Sequence, residues 1–252
     1  MSPQDSALAD DLEARLADVP DLTARLAEVD RLAPHPIAFS TSLGIEDQAI
    51  LHAIATAGAQ LDVFTLDTGR LFSETIDTIG RSEQRYGLRI RVIVPDAAET
   101  EALVARDGIA GFRLSIEARK ACCEVRKVRP LKRALAGVGS WVTGLRRGQS
   151  AGRGTVPFAA WDAEHGLVKI NPLADWSLEQ LEAYIAVNDI PVNPLHAQGF
   201  PSIGCQPCTR AIRPGEDIRA GRWWWESADG KECGLHDNPR RPAARQAQEA
   251  AE

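Results

Sequence analysis

The chain has 252 residues, 44% of them hydrophobic and 25% charged, with a formal net charge of −6. That length holds one large α/β domain or two small ones with a full core, and the composition is that of an ordinary soluble protein. No apolar run approaches a membrane span, the start lacks a basic stretch followed by an apolar one, and the acidic balance argues against nucleic acid; the expectation is a cytoplasmic protein with no nucleic acid and no membrane partner.

Residues 1–33 read as a helical preface. Leu8, Leu12 and Leu16, then Leu22, Leu26, Val29 and Leu32, fall near helical spacing, and Pro20 with Asp21 divides the two helices. Residues 36–40 read as a short buried strand. The turn Thr41-Ser42-Leu43-Gly44 follows, and a helix starts at Ile45. A strand, a Ser/Gly turn and a helix N-terminus form an anion cradle of N–H groups and hydroxyls, which makes Ser40, Ser42 and Gly44 candidate ligand contacts. Residues 62–66 are a second strand, ending in Asp67-Thr68-Gly69-Arg70. A helix over 71–86 and a strand over 89–94 come next. Strands alternating with helices predict a mainly parallel sheet with right-handed crossovers and helices on both faces, with ligands at the carboxyl ends of the strands.

Residues 97–106 and about 115–137 read as helices. From Arg113 to Arg133 there are eight Lys or Arg against two acids, Glu117 and Glu124, which suggests a small anionic ligand in an otherwise acidic chain. A strand over 140–144 delivers a loop with Arg146, Arg147 and Arg153, whose guanidinium forks match sulfate or phosphate oxygens bidentately. A strand over 167–170 and a helix opened by Ser177-Leu178-Glu179-Gln180, a capping-box pattern, complete the regular part. From Pro191 the chain reads as irregular. Trp223, Trp224 and Trp225 are expected to pack, and residues 237–252 read as a flexible tail.

Five cysteines stand out. Cys122-Cys123 lies within the basic helix, and Cys205-Gln206-Pro207-Cys208 lies in the irregular region. Four thiolates complete the coordination of one metal centre. Adjacent cysteines are a poorer fit to one small ion, because neighbouring side chains diverge, so a [4Fe–4S] cluster, one per chain, is favoured. Zinc, a redox disulfide or unrelated buried thiols remain as alternatives. Cys233, in Glu232-Cys233-Gly234-Leu235-His236, is then the unpaired thiol.

Taken together, these segments resemble the assimilatory adenylyl-sulfate reductases of the phosphoadenylyl-sulfate reductase family, from about Pro36 to His236. The carriers are the Ser/Gly turn with Glu46-Asp47, Leu66-Asp67-Thr68-Gly69-Arg70, the Cys-Cys segment with Arg126-Lys127-Val128, the loop from Gly144 to Arg153, the Cys-x-x-Cys and the closing Glu-Cys-Gly-Leu-His. The resemblance implies an adenine-nucleotide α-hydrolase-like (Rossmann-like) fold and thioredoxin as reductant. It also implies adenylyl sulfate, not its 3′-phosphorylated form, as substrate. It divides the chain into the preface 1–33, a reductase domain 34–236 and the tail 237–252. Cys233 is expected to attack the sulfate sulfur and release AMP, and a thioredoxin thiol then to release sulfite. Lys127, Arg146, Arg147, Arg153, Arg219 and Arg222 are the candidate cations for the phosphosulfate, and His236 could orient the thiolate or meet phosphate. An ATP pyrophosphatase of the same superfamily lacks a use for Cys233. A non-enzymatic iron–sulfur protein lacks a use for the arginine loop. The sequence leaves homo-oligomer formation open.

Overall fold

The computed structural model describes residues 3–149, 154–226 and 235. Helices α1 (Pro3–Ala17) and α2 (Leu22–Leu32) precede β1 (Ile37–Ser40), α3 (Ile45–Ala57), β2 (Asp62–Leu66), α4 (Ser73–Tyr86) and β3 (Arg91–Ile93). Then come α5 (Ala97–Asp107), α6 (Ile116–Cys123), a π-helical turn over Glu124–Val128 and α7 (Arg129–Ala134). Strands β4 (Ser140–Val142), β5 (Ala159–Asp162) and β6 (Leu167–Ile170) lead to α8 (Leu178–Val187).

The six strands form one sheet in the order β3-β2-β1-β4-β6-β5. Every neighbouring pair is parallel except β5 with β6. Side-chain alternation divides the strands cleanly between two faces. Ile37, Phe39, Val63, Val142, Val168 and Ile170 join the larger core with α1, α2, α3 and α8. Ala38, Phe64, Trp141 and Leu167 face the other way, against Leu131, Ala134 and Leu135 of α7 and its end. The helical preface contributes Leu12, Leu16, Leu22, Leu26 and Val29 to the larger core, each essentially without exposure.

Local chemistry fixes the helix starts. Asp21 accepts a hydrogen bond from Ala24 N, Ser115 from Ala118 N, and Ser177 with Gln180 forms the reciprocal capping box. Two features depart from the sequence expectation. The helix expected over 115–137 is interrupted by the π turn directly after the cysteine pair, and β5 is an antiparallel edge strand that the sequence reading left out. Glu13 of α1 accepts a hydrogen bond from Ala159 N at that edge.

Candidate active site

The carboxyl ends of β1, β2 and β4 open into a cavity of about 260 Å³. This is the crevice where a parallel α/β sheet places its ligands. Ser40, at the end of β1, accepts a hydrogen bond from the Trp141 indole at 2.8 Å. The turn then folds back on α3, because Ser42 donates both its backbone N–H and its hydroxyl to Asp47 Oδ2, at 2.6 and 2.7 Å. Leu43 is buried with φ of 60°, a left-handed conformation held by its N–H donating to Thr41 Oγ1. Burial pushes the Asp47 carboxyl up to about 6; the two Ser42 bonds oppose the shift and Glu46 adds to it. Gly144, where β4 ends, has no room for a side chain, since a Cβ there would stand 2.2 Å from Asp47 Oδ1.

In the described part of the arginine loop, both guanidiniums engage protein groups. Arg146 is buried and donates to Glu46 Oε1 and the Trp176 carbonyl. Arg147 donates to the Val156 carbonyl and stacks on Phe158 at 5.2 Å. Both forks thus have protein partners, and the loop reaches the cavity through Gly144, Leu145 and Gln149. Arg153 lies outside the described residues.

The segment after β2 splits in the same way. Leu66 and Thr68 line the cavity. Asp67 accepts from Gly69 N, closing a turn in which Gly69 has φ of 69°. Arg70 turns away, stacks on Phe112 at 4.8 Å and donates to the Ile109 carbonyl.

Beyond it lies a second, small cavity of about 20 Å³, lined by Cys122, Cys123, Cys205, Cys208, Arg70, Arg119, Arg126, Lys127 and Phe112. Lys127 and Cys205 line both cavities and form their common wall. All four cysteines are free thiols. Among the described residues no three His, Cys, Asp or Glu side chains are close enough to share one small ion. The thiols instead ring a cavity, an arrangement suited to a group with several metal atoms. Burial pushes Cys122 up, and it pushes Cys208 up to about 12 with Cys205 and Cys123 adding to the shift. Burial acts on Cys205 too, but Lys127, the Thr68 hydroxyl at 3.3 Å, Arg222 and Arg70 outweigh it and lower its pKa. The Arg126 guanidinium donates to the Thr68 carbonyl, while its buried Nε has no partner among the described residues. Four thiols among four cations, with an orphaned buried N–H, fit an anionic thiolate-bound cluster.

The remaining wall comes from the chain after the Cys-x-x-Cys. Arg219, Arg222 and Trp223 line the first cavity. Gly204 makes room for Arg222, whose Nη2 would be 2.3 Å from a Cβ there. Trp223 is buried with φ of 41°, donates its N–H to the Cys208 carbonyl, and lies within 4.5 and 4.7 Å of the guanidiniums of Arg119 and Arg222. Its neighbour Glu226 forms a buried ion pair with Arg119 at 2.8 Å. The expected packing role of the tryptophans therefore extends, for Trp223, to the cavity wall. Leu235 also lines the first cavity and packs against the α7 cluster. Cys233 and His236 lie outside the described residues.

Sequence reasoning missed Trp141, Arg119 and His196. The His196 imidazole lines the first cavity; burial lowers its pKa, with Glu46 and the Phe200 backbone opposing. None of the three sits in a recognisable motif, and Arg119 finds its acidic partner 107 positions away.

Comparison with known proteins converges on one family. The sequence model of the phosphoadenosine phosphosulfate reductase domain matches residues 36–211. A protein of Agrobacterium fabrum named adenosine 5′-phosphosulfate reductase is 56% identical over 89% of this chain and 86% of its own length. One of Allochromatium vinosum with the same name is 54% identical over 82% of both chains. Among solved structures, the phosphoadenylyl-sulfate reductase of Candida auris aligns with a TM-score of 0.70 at 24% identity, covering 84% of this chain and 98% of that one. An FMN adenylyltransferase of Candida glabrata aligns at 0.50 and 16% identity over 84% of this chain and 76% of its own, a likeness of fold. With its adenine-nucleotide α-hydrolase-like fold, the chain belongs to the phosphoadenosine phosphosulfate reductase family.

Proposed function

We propose that the chain reduces adenylyl sulfate to sulfite and AMP in assimilatory sulfate reduction, with thioredoxin as reductant. The observation that carries this reading is the shared wall. One cavity at the strand ends suits a nucleotide, and Lys127, Arg219 and Arg222 supply cations on it. Leu235, two residues beyond Cys233, lines the same cavity, so chain length alone keeps the Cα of Cys233 within about 7 Å of the Cα of Leu235.

Cys233 thiolate attacks the sulfate sulfur. The bond from that sulfur to the bridging oxygen breaks, AMP leaves with the electron pair, and the sulfonate remains on Cys233. A thioredoxin thiolate then attacks Cys233 Sγ, sulfite leaves with the S–S pair, and the second thioredoxin thiol frees Cys233 as the disulfide closes. Lys127, Arg219 and Arg222 neutralise the sulfate that an anionic nucleophile approaches. Arg222 is oriented by the Trp223 face and the Ser202 hydroxyl. Cys122, Cys123, Cys205 and Cys208 would hold a [4Fe–4S] cluster, which when bound ties the α6 end to the Cys-x-x-Cys turn and sets the local field. Trp141 fixes the Ser40 hydroxyl, and Asp47 fixes the turn that receives the nucleotide.

The relatives' names favour adenylyl sulfate over its 3′-phosphorylated form. Turnover with reduced thioredoxin, measured as sulfite and AMP with the two nucleotides in competition, tests this. The expected result is a preference for adenylyl sulfate; faster turnover of the 3′-phosphorylated form would refute it.

A further inference from the structure

The stretch between α5 and α6 exposes apolar side chains that the fold itself does not use. Ile109 is 71% exposed and Leu114 76%, with Ile116 and Trp224 each at 38%. Arg113 sits among them. Its guanidinium lies 5.4 to 5.7 Å from the rings of Phe112, Trp224 and Trp225, and it donates to the Pro207 carbonyl of the Cys-x-x-Cys turn. It meets no carboxylate among the described residues. Apolar surface gathered around a held cation fits a protein partner with an apolar contact face and a carboxylate.

The position of this surface selects the partner. Phe112, on its inner side, lines the cysteine cavity, and Trp225 packs on Phe112 at 6.0 Å. Trp224 to Glu226 lead directly into the chain that carries Cys233. Cys233 is seven positions beyond Glu226, and seven extended residues span at most about 25 Å. Arg119 anchors Glu226, so that tether starts from a fixed point. A protein that brings a thiol to Cys233 covers about 800 Å² of surface. A footprint of that size has a radius of about 16 Å, so it overlaps this face whenever Cys233 stands within that distance of it.

We propose that Ile109, Arg113, Leu114, Ile116 and Trp224 form the docking surface for the protein dithiol that discharges Cys233, a thioredoxin presenting an apolar face and a carboxylate to Arg113. This rests on the reading that a protein thiol attacks the sulfonated Cys233. A second copy of this chain is the competing occupant.

The test uses the full chain with its metal content intact, and compares two reductants. Thioredoxin must dock; dithiothreitol needs no docking surface. Leu114→Asp should lower kcat/KM for thioredoxin about tenfold or more, the scale of losing one apolar anchor. Dithiothreitol-supported sulfite release and the Cys233 adduct should stay within about twofold. Arg113→Glu should raise the KM for thioredoxin and flatten its salt dependence. Ile109→Ser, a milder change, should move the thioredoxin KM in the same direction. An unchanged thioredoxin KM in these variants would overturn the proposal. So would equal losses with both reductants, or dissociation of an oligomer with thioredoxin kinetics intact. A wild type that forms no adduct with adenylyl sulfate would instead refute the functional reading, a result separable from the docking surface.

Discussion

Replacing Arg146 by alanine separates a structural arginine from a substrate-binding one. The side chain is 2% exposed and donates two hydrogen bonds to Glu46 Oε1, at 3.1 and 2.9 Å. Removing one partner of a buried pair costs about 3–5 kcal/mol, because the other charge is left desolvated. Glu46 keeps 18% exposure, which places the cost near the lower end, about 3 kcal/mol. For a chain of this size each kcal/mol moves Tm by about 2–4 °C, so a fall of about 6–12 °C is expected. Thermal denaturation reads the effect directly. Arg146→Met combined with Glu46→Leu should recover much of it, since an apolar pair of similar volume carries no unpaired charge. A Tm within about 1 °C of wild type, together with a tenfold loss of AMP affinity, would refute the structural assignment and return Arg146 to the substrate.

Other substitutions probe the rest of the site. Trp141→Phe keeps an aromatic side chain but removes the donor to Ser40, so AMP affinity should fall about fivefold, the scale of one hydrogen bond. The same change in a Ser40→Ala background should have no further effect, and additive losses would contradict the coupling. Asp47 has a folded pKa of about 6 against an ordinary 3.8, so the native state holds the proton over that window and its stability declines as pH rises from about 4 to about 6. Asp47→Asn removes that decline, and its unfolding free energy should gain up to about 3 kcal/mol relative to wild type between pH 4 and pH 7. A constant difference across that range would refute the burial argument. Arg222→Lys should lower kcat/KM about tenfold or more because a point charge does not replace a fork, whereas Arg129→Lys, on an exposed side chain paired with Glu99 and Glu124, should stay within twofold. Cys122→Ser and Cys208→Ser should abolish the brown colour and about four irons per chain expected of anaerobically purified protein; a colourless, zinc-loaded and fully active wild type would exclude the cluster.

The parallel sheet and the β1 turn were legible because hydrophobic runs, Gly turns and helix caps are local signals. Ser177 with Gln180 announced its capping box from four consecutive residues. The π turn at Glu124–Val128 carries no breaker in its sequence, and Pro130 fits the first turn of α7, so the stretch read as one helix. β5 escaped because Ala159-Ala160-Trp161-Asp162 lacks the β-branched residues that mark a strand; it forms by pairing with β6. The arginines show the deeper limit. A fork fits a carboxylate as well as a sulfate, and the partners of Arg146 and Arg119 lie 100 and 107 positions away, so only the fold decides which anion each one meets.

Among the five cysteines, Cys233 alone should take up the sulfonate. Incubating the anaerobically purified protein with adenylyl sulfate in the absence of thioredoxin, followed by mass spectrometry of its peptides, tests it most directly. One sulfonate per chain on Cys233 and one AMP released are expected, with Cys233→Ser still binding nucleotide but forming no adduct. A sulfonate on Cys122, Cys123, Cys205 or Cys208, or sulfite production by the serine variant, would contradict it.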